Sequence, residues 1–250
     1  MVDTPDNPNM ANSNVASGTP SAPMSLLARF IGIITAPKAT FQNVVAYPRI
    51  LGLLILTTVI IAFGAALPMT TDAGKQAALD QQVSQMESFG MTVNDQQYEA
   101  MRKGMRIAPY TAGGSILIVS PIVLAILSGI LFAVFNAAMG GESSYKQVYA
   151  VVAHAGVISA VGQLFVGPFN YFRGSTSSPT TFGALLPMFD DTSFIGKFFG
   201  MMDIFIIWWL VVLAIGLAVL YRRKTQPIAL TLFGIYALIA VCVAAFTSRS

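Results

Sequence analysis

Charged residues are scarce in this sequence, and their scarcity indicates which solvent surrounds the chain. Only 10% of the 250 residues are Asp, Glu, Lys or Arg, whereas 55% are hydrophobic. A soluble domain carries about 25% charged residues, so lipid is expected to be the main solvent. The few cations form no basic stripe with interleaved aromatic residues, and nucleic acid is therefore not expected as a partner.

Histidine and cysteine are also nearly absent. The chain has one histidine, His154, and one cysteine, Cys242. A single cysteine excludes an intramolecular disulfide, and a single histidine excludes a multi-histidine metal site within the chain. The sequence contains neither a G-x-S-x-G nucleophile elbow nor a glycine-rich loop that leads to GK[ST]. We therefore expect no catalytic, metal-binding or cofactor-binding residues, and no enzymatic activity.

Long apolar runs are abundant. A helix that crosses a hydrocarbon core about 30 Å thick needs roughly 20 apolar residues. Five segments meet this requirement by composition, at 50–67, 113–139, 148–167, 204–221 and 227–246. The predicted fold class is all-α, an integral membrane protein built as a bundle of five transmembrane helices.

The first residues differ from the rest in composition. Residues 1–24 are rich in Asn, Ser, Pro, Thr and Ala and lack a cationic start followed by an apolar run. They do not read as a cleavable signal, so the first span is expected to target the chain to the membrane. A segment this polar is expected to be a disordered tail, followed by one membrane domain over residues 25–250.

Two amphipathic stretches precede the first span. Ser25 is a candidate cap for one short helix, and Pro37 suits the first turn of a second. One interpretation places both helices in the membrane interface, with Arg29 and Lys38 reaching lipid phosphates. The alternative is that both helices pack on the protein's own bundle.

The connection between the first two spans is the longest. Residues 73–109 show two amphipathic patterns, with Asn94 and Gln97 placed as a capping box at the start of the second. The patterns predict a helical hairpin outside the membrane. Its surface is either a docking site for a partner, a cap on the bundle, or an extension of the flanking spans.

Two spans have distinctive compositions. In the second, small residues recur every four positions and predict a seam of close helix packing; they are Ala125, Gly129, Ala133 and Ala137. The third span is the least apolar, which suits a helix surrounded by other helices.

Four polar residues in or near the predicted spans are candidate functional residues: His154, Gln163, Asn136 and Asp203. An ionisable group inside a membrane is costly and often marks an ion path. A neutral histidine bonded between helices explains His154 equally, with Asn136, Ser159 or Gln163 as its expected partners. Asp203 is expected to cap the fourth span.

The basic residues give an expected orientation. Their total is balanced between the two sides, but those nearest the first and fourth spans lie on the same side as the N-terminus. These residues are Arg29, Lys38, Arg49, Arg222, Arg223 and Lys224. We expect a cell-membrane protein with a cytoplasmic N-terminus and an external C-terminus.

Three local patterns carry a resemblance to a known family. They are TAPKATF at 35–41 running into YPRILGLL at 47–54, SYKQVYAVV at 144–152, and MDIFIIWWL at 202–210 through IGLA at 215–218. With the polar tail and five closely spaced spans, the chain resembles the Ypt-interacting-protein (Yip-domain) family over residues 25–246, and is similar to its prokaryotic branch.

The resemblance implies a helical membrane protein with a cytoplasmic N-terminus and no catalytic residues. Eukaryotic members bind prenylated Rab-type GTPases and one another. This chain has AYPRILG at 46–52 where those members carry an acidic DLxGP-like element, so GTPase binding is not carried over. The expected function is a non-catalytic scaffold that acts through membrane-protein partners, self-association or the bilayer itself. The alternative is a small transporter or channel with His154 in its path.

Overall fold

Helices account for nearly all the regular structure of the chain. The computed structural model describes residues 22–138, 140–186, 188–190 and 193–248, and most of the predicted tail lies outside these ranges. Within them the chain forms no strand beyond one isolated bridge, which confirms the all-α class. The α-helices are α1 Leu26–Thr35, α2 Pro37–Ala46, α3 Leu51–Ala66, α4 Asp72–Ser88, α5 Asp95–Gly104, α6 Ala108–Phe132, α7 Tyr145–Ala155, α8 Val157–Arg173, α9 Phe182–Leu185, α10 Phe194–Met201, α11 Ile204–Leu220 and α12 Thr225–Thr247.

Local capping explains where several helices begin. The Ser25 side chain accepts a hydrogen bond from the backbone N–H of Ala28 at 3.3 Å, and Pro37 occupies the first turn of α2. Asn94 and Gln97 form the expected capping box, in which each side chain bonds the other's backbone N–H. These start signals are local and were readable from the sequence.

The centre of the bundle is a column made of α7 and α8. Every residue from 150 to 158 is buried, and α2, α3, α6 and α11 pack around the column. The prediction that the third span is surrounded by other helices is confirmed. The helical segment that contains the predicted span 148–167 runs over Tyr145–Arg173 and is interrupted at Gly156.

Backbone contact between two glycines holds α8 against α3. A Cβ atom added to Gly167 would lie 2.7 Å from the carbonyl oxygen of Gly64, which is closer than atoms can approach. Small residues that allow such approach are typical of helix packing in membranes. The tightest seam is therefore between α3 and α8.

The predicted small-residue seam of the second span is not where α6 packs. The site of a Cβ on Gly129 has no heavy atom within 4 Å, and Ala133 and Ala137 are exposed. The buried face of this segment instead carries Leu131 and Phe135. Bulky side chains at helical spacing fill the space towards the column, so the small residues on another face have no neighbour to approach.

The amino-terminal helices pack on the protein's own bundle. Ile33 of α1 and Phe41 and Val44 of α2 are fully buried in the hydrophobic core. This favours the second of the two interpretations given above. Lys38 is exposed as expected, but Arg29 is buried and does not reach outwards.

The predicted hairpin has two helices, but the second belongs to a span. A hydrogen bond of 3.1 Å from Gln76 to the Tyr98 hydroxyl joins α4 to α5. A 3₁₀ turn at Met105–Ile107 then carries α5 into α6, so that Asp95–Ala137 is one helical segment of 43 residues. Extension of a span is therefore the correct alternative for α5.

The segment between the third and fourth predicted spans contains helices. α8 continues through Pro168 to Arg173, and α9 and α10 follow before α11 begins. A 2.6 Å hydrogen bond from Thr176 to Gln81 places this segment beside α4. We call this the long-loop end of the molecule; the opposite, short-loop end holds the turns near 47–50, 140–144 and 221–224.

Several apolar helices are able to span a membrane. Among the described residues, three helical segments are long and apolar enough by themselves, namely Asp95–Ala137, Tyr145–Arg173 and Thr225–Thr247. α3 and α11 are apolar but have 16 and 17 residues, a length of about 24–26 Å at 1.5 Å per residue. The prediction of a multi-span helical membrane protein is confirmed.

The glycine contacts give a matched test of this packing. We expect Gly167→Ala to destabilise the protein by about 1–3 kcal/mol, because the new methyl group meets backbone that cannot move aside. Gly129→Ala makes the same chemical change in open space, and we expect an effect within about 1 kcal/mol, towards greater stability. Unfolding in mixed detergent micelles measures both, and equal effects would contradict the assigned seam.

Candidate functional site

The four candidate residues occupy three separate places. His154 lies inside the column, Asn136 lies at the short-loop end, and Gln163 and Asp203 line one cavity at the long-loop end. In the part of the chain that the structure describes, no group of three or more His, Cys, Asp or Glu side chains is arranged to hold a metal ion.

His154 is fully buried and is bonded at both ring nitrogens. Arg29 Nη1 lies 3.1 Å from His154 Nε2, and His154 Nδ1 lies 2.7 Å from the Ala150 carbonyl oxygen. Arginine has only donors and a carbonyl has only acceptors. Nε2 must therefore accept and Nδ1 must donate, so His154 is neutral with its proton on Nδ1.

The partner of His154 was not among the three that we expected. Both ring nitrogens of His154 have other partners. Asn136 bonds Ser143 and Tyr221 at the short-loop end, and Ser159 and Gln163 line the cavity at the long-loop end. Arg29, which sequence reasoning missed as a partner, is 125 residues away. An arginine in the middle of an apolar ten-residue helix was itself a signal that a buried acceptor exists.

Arg29 is a buried cation that has no acidic partner in the part of the chain that the structure describes. Its Nη1 also donates to the Arg49 carbonyl oxygen at 2.7 Å, whereas its buried Nε has no partner among the described residues. Burial and then the nearby charge of Arg49 lower the pKa of the Arg29 guanidinium, which nevertheless stays protonated. Neutral acceptors therefore hold this charge, and the contact joins α1 to α7.

Asn136 joins the second span to the fourth at the short-loop end. It lies in a π-helical segment, Ala133–Ala138, and its Nδ2 donates to the Ser143 carbonyl oxygen at 2.7 Å. The Tyr221 hydroxyl donates to Asn136 Oδ1 at 2.9 Å, and the Tyr221 ring stacks on Phe135 at 4.9 Å. These contacts give Asn136 a structural role.

A cavity of about 460 Å³ opens at the long-loop end. Residues of α3, α6, α8 and α11 line it together with the segment after α8. Its polar lining residues are Ser159, Gln163, Asn170, Thr176, Ser178 and Asp203. The structure thus brings together two candidates, Gln163 and Asp203, that are 40 residues apart in sequence.

Asp203 begins α11 as expected. Its Oδ1 accepts from the backbone N–H of Phe205 at 2.8 Å. Its Oδ2 accepts from the Ser178 and Thr180 hydroxyls at 2.7 and 2.6 Å. The carboxylate is 8% exposed and has no cationic partner among the described residues.

Asn170 is the cavity residue that sequence reasoning missed. Its side chain is 4% exposed, and its Oδ1 has no hydrogen-bond donor among the described residues. The predicted third span ended at residue 167, so Asn170 was not among the candidates. The repeat of polar residues at 159, 163 and 170, on one face of a helix, was the available signal.

The apolar helices and polar connections together define a multi-pass helical membrane protein. Residues 31–246 match the family model of the Yip1 domain. The chain therefore belongs to the Yip1 domain family, a family of membrane proteins not known to be enzymatic. No curated protein and no solved structure matched the chain.

A double-mutant cycle tests the buried contact between Arg29 and His154. We expect His154→Ala to cost about 2–4 kcal/mol, because it leaves a cavity and an unpaired guanidinium donor. Arg29→Met should cost about 1–3 kcal/mol, and the double variant should fall short of the sum by roughly 1–3 kcal/mol.

Lys38→Met is the matched control, since Lys38 is exposed on the next helix, and its effect should stay within about 0.5 kcal/mol. Chemical denaturation in mixed micelles measures all four variants. Strict additivity of the two buried substitutions would contradict the contact.

Proposed function

We propose that the protein is a non-catalytic membrane scaffold that acts through contacts with other proteins in the bilayer. The observation that carries this proposal is the state of the polar residues within the helices. His154 is bonded at both nitrogens and Asn136 joins two spans, so their polar groups are engaged in holding the fold. Residues fixed in this way support a rigid framework better than a reaction centre.

The outermost helix supports the same function. α12 packs mainly on α10 and α11, and most of its surface carries exposed apolar side chains. Leu230, Leu238 and Phe246 are each more than 60% exposed. Such a surface suits contact with lipid or with a neighbouring membrane helix, as a scaffold in the bilayer requires.

The alternative, a transporter or channel with His154 in its path, has less support. A path needs ionisable groups that face one another or water, usually at broken helices. The column is interrupted at Gly156, but the His154 ring is fully buried and its nearest charged neighbour is the guanidinium of Arg29. A proton entering there would face a fixed positive charge.

The orientation that we propose has five crossings, a cytoplasmic N-terminus and an external C-terminus in the cell membrane. The alternation of short-loop and long-loop ends along the chain supports the five crossings, and the basic residues near the short turns support a cytoplasmic short-loop end. Hydrogen bonds from Gln147 to Val45 and from Tyr221 to Asn136 join the short turns at the short-loop end. The hydrogen bond from Thr176 to Gln81 joins the long connections at the long-loop end.

Cysteine labelling tests this orientation in a Cys242→Ser background. Single cysteines at Gln85 and Ser177 should react with an impermeant thiol reagent from outside intact cells. Cysteines at Ser144 and Lys224 should react only after lysis. All four residues are exposed, so access alone does not separate them. Labelling of Ser144 and Ser177 from the same side would contradict a crossing by the third span.

Photo-crosslinking in native membranes tests the scaffold function. A photoreactive residue at Leu238, which is 64% exposed on α12, should give a discrete protein adduct. The same residue at Ala240, which is buried on the opposite face of that helix, should give none. Adducts with lipid alone at Leu238 would count against a protein contact on this face.

A further inference from the structure

The cavity at the long-loop end has the size of a ligand site. Its volume of about 460 Å³ falls within the range of roughly 300–1,000 Å³ that is typical of small-molecule sites. It is much larger than a bare cation or one water molecule needs. Ser159 and Ile206 are exposed at its rim, so the cavity is open to the surroundings of the protein.

The charge of the lining selects the sign of a ligand. Among the described residues that line the cavity, Asp203 is the acidic one, and none is Lys, Arg or His. The carboxyl-terminal ends of two helices also meet here, since Ala65 near the end of α3 and Asn170 near the end of α8 both line the cavity, whereas the amino-terminal end of α11 is already capped by Asp203. The carboxyl-terminal end of a helix carries partial negative charge. A cationic group is therefore favoured.

The hydrogen-bonding groups of the cavity lining indicate the chemistry of the ligand. Asn170 Oδ1 is a buried acceptor that lacks a donor among the described residues, and the Gln163 side chain also lines the cavity. An ionised carboxylate accepts about four hydrogen bonds, and Asp203 receives three from the protein. A group that donates several hydrogen bonds at once satisfies these acceptors. The Phe205 ring in the lining provides a surface for its charge.

We propose that this cavity binds a primary ammonium group, carried either by a small amino alcohol or by the headgroup of an aminophospholipid. An ammonium group has three donors and one positive charge, which match the open acceptors and the carboxylate. The inference stands on the cavity alone and does not depend on the scaffold function.

Thermal unfolding of the purified full-length protein in detergent tests the proposal. The probes are ethanolamine and lysophosphatidylethanolamine, and the controls are ethylene glycol and lysophosphatidylglycerol, which lack the ammonium group. Saturable stabilisation by ethanolamine would show that the small amino alcohol is sufficient for binding. Stabilisation by the lysolipid alone identifies the headgroup source. Equal effects of probes and controls, or no effect of any, would overturn the proposal.

Two variants locate the binding. Asp203→Asn keeps a good helix cap but removes the charge, and it should weaken probe binding by about 10- to 100-fold. Asp95→Asn is the matched control, because it removes one charge from an exposed first turn that does not line the cavity, and binding should not change.

Asn170→Leu separates a binding role from a structural one. It removes a buried acceptor without a partner, so the protein without probe should melt about 2 °C higher or more, while probe binding falls. A lower melting temperature with unchanged binding would assign Asn170 to the framework and overturn the proposal. This variant retains its value if Asp203→Asn fails to fold.

Discussion

The contact between Arg29 and His154 is the polar interaction that ties α1 to the central column of the bundle. In a bilayer, apolar burial between helices gains little, because lipid tails are as apolar as the side chains they replace. Helices there associate through close packing and polar bonds. Arg29 supplies the polar bond for α1, and because its Nη1 also bonds the Arg49 carbonyl, the same side chain fixes the start of α3.

Each end of the bundle has one buried polar atom without a partner among the described residues: Arg29 Nε near the short-loop end and Asn170 Oδ1 at the long-loop end. At the short-loop end, Asn136 in the π-helical segment bonds Ser143 and Tyr221, and the aromatic stack beside them adds packing. At the long-loop end, Asn170 keeps a buried acceptor without a donor. A buried polar group without a partner costs about 1–3 kcal/mol. Asn170 lines the cavity at the long-loop end, so a bound molecule that donates a hydrogen bond to it can add to the stability of the fold.

Local signals made part of this structure predictable. Helix caps at Ser25 and Asn94 depend on residues three positions apart, and the polar composition of the third span correctly indicated a central position. The contact of Arg29 with His154 was not predictable in this way, because it joins residues 125 positions apart and depends on how α1 folds back. The small-residue pattern of α6 failed for a related reason. A repeat shows which residues share a face, but the neighbouring helix decides whether that face is used.

The buried charges of the bundle also bear on its orientation. Arg29 is a cation near the short-loop end and Asp203 is an anion at the long-loop end, and neither has a partner of opposite charge in the described part of the chain. In the proposed orientation the cation lies towards the cytoplasm and the anion towards the outside. Moving one elementary charge across the whole membrane against a potential of 100 mV costs about 2.3 kcal/mol. A potential that is negative inside therefore favours cations on the cytoplasmic side and anions on the outer side. That field favours both charges where they stand, so the electrostatics of the buried groups and the basic residues of the short loops support the same orientation.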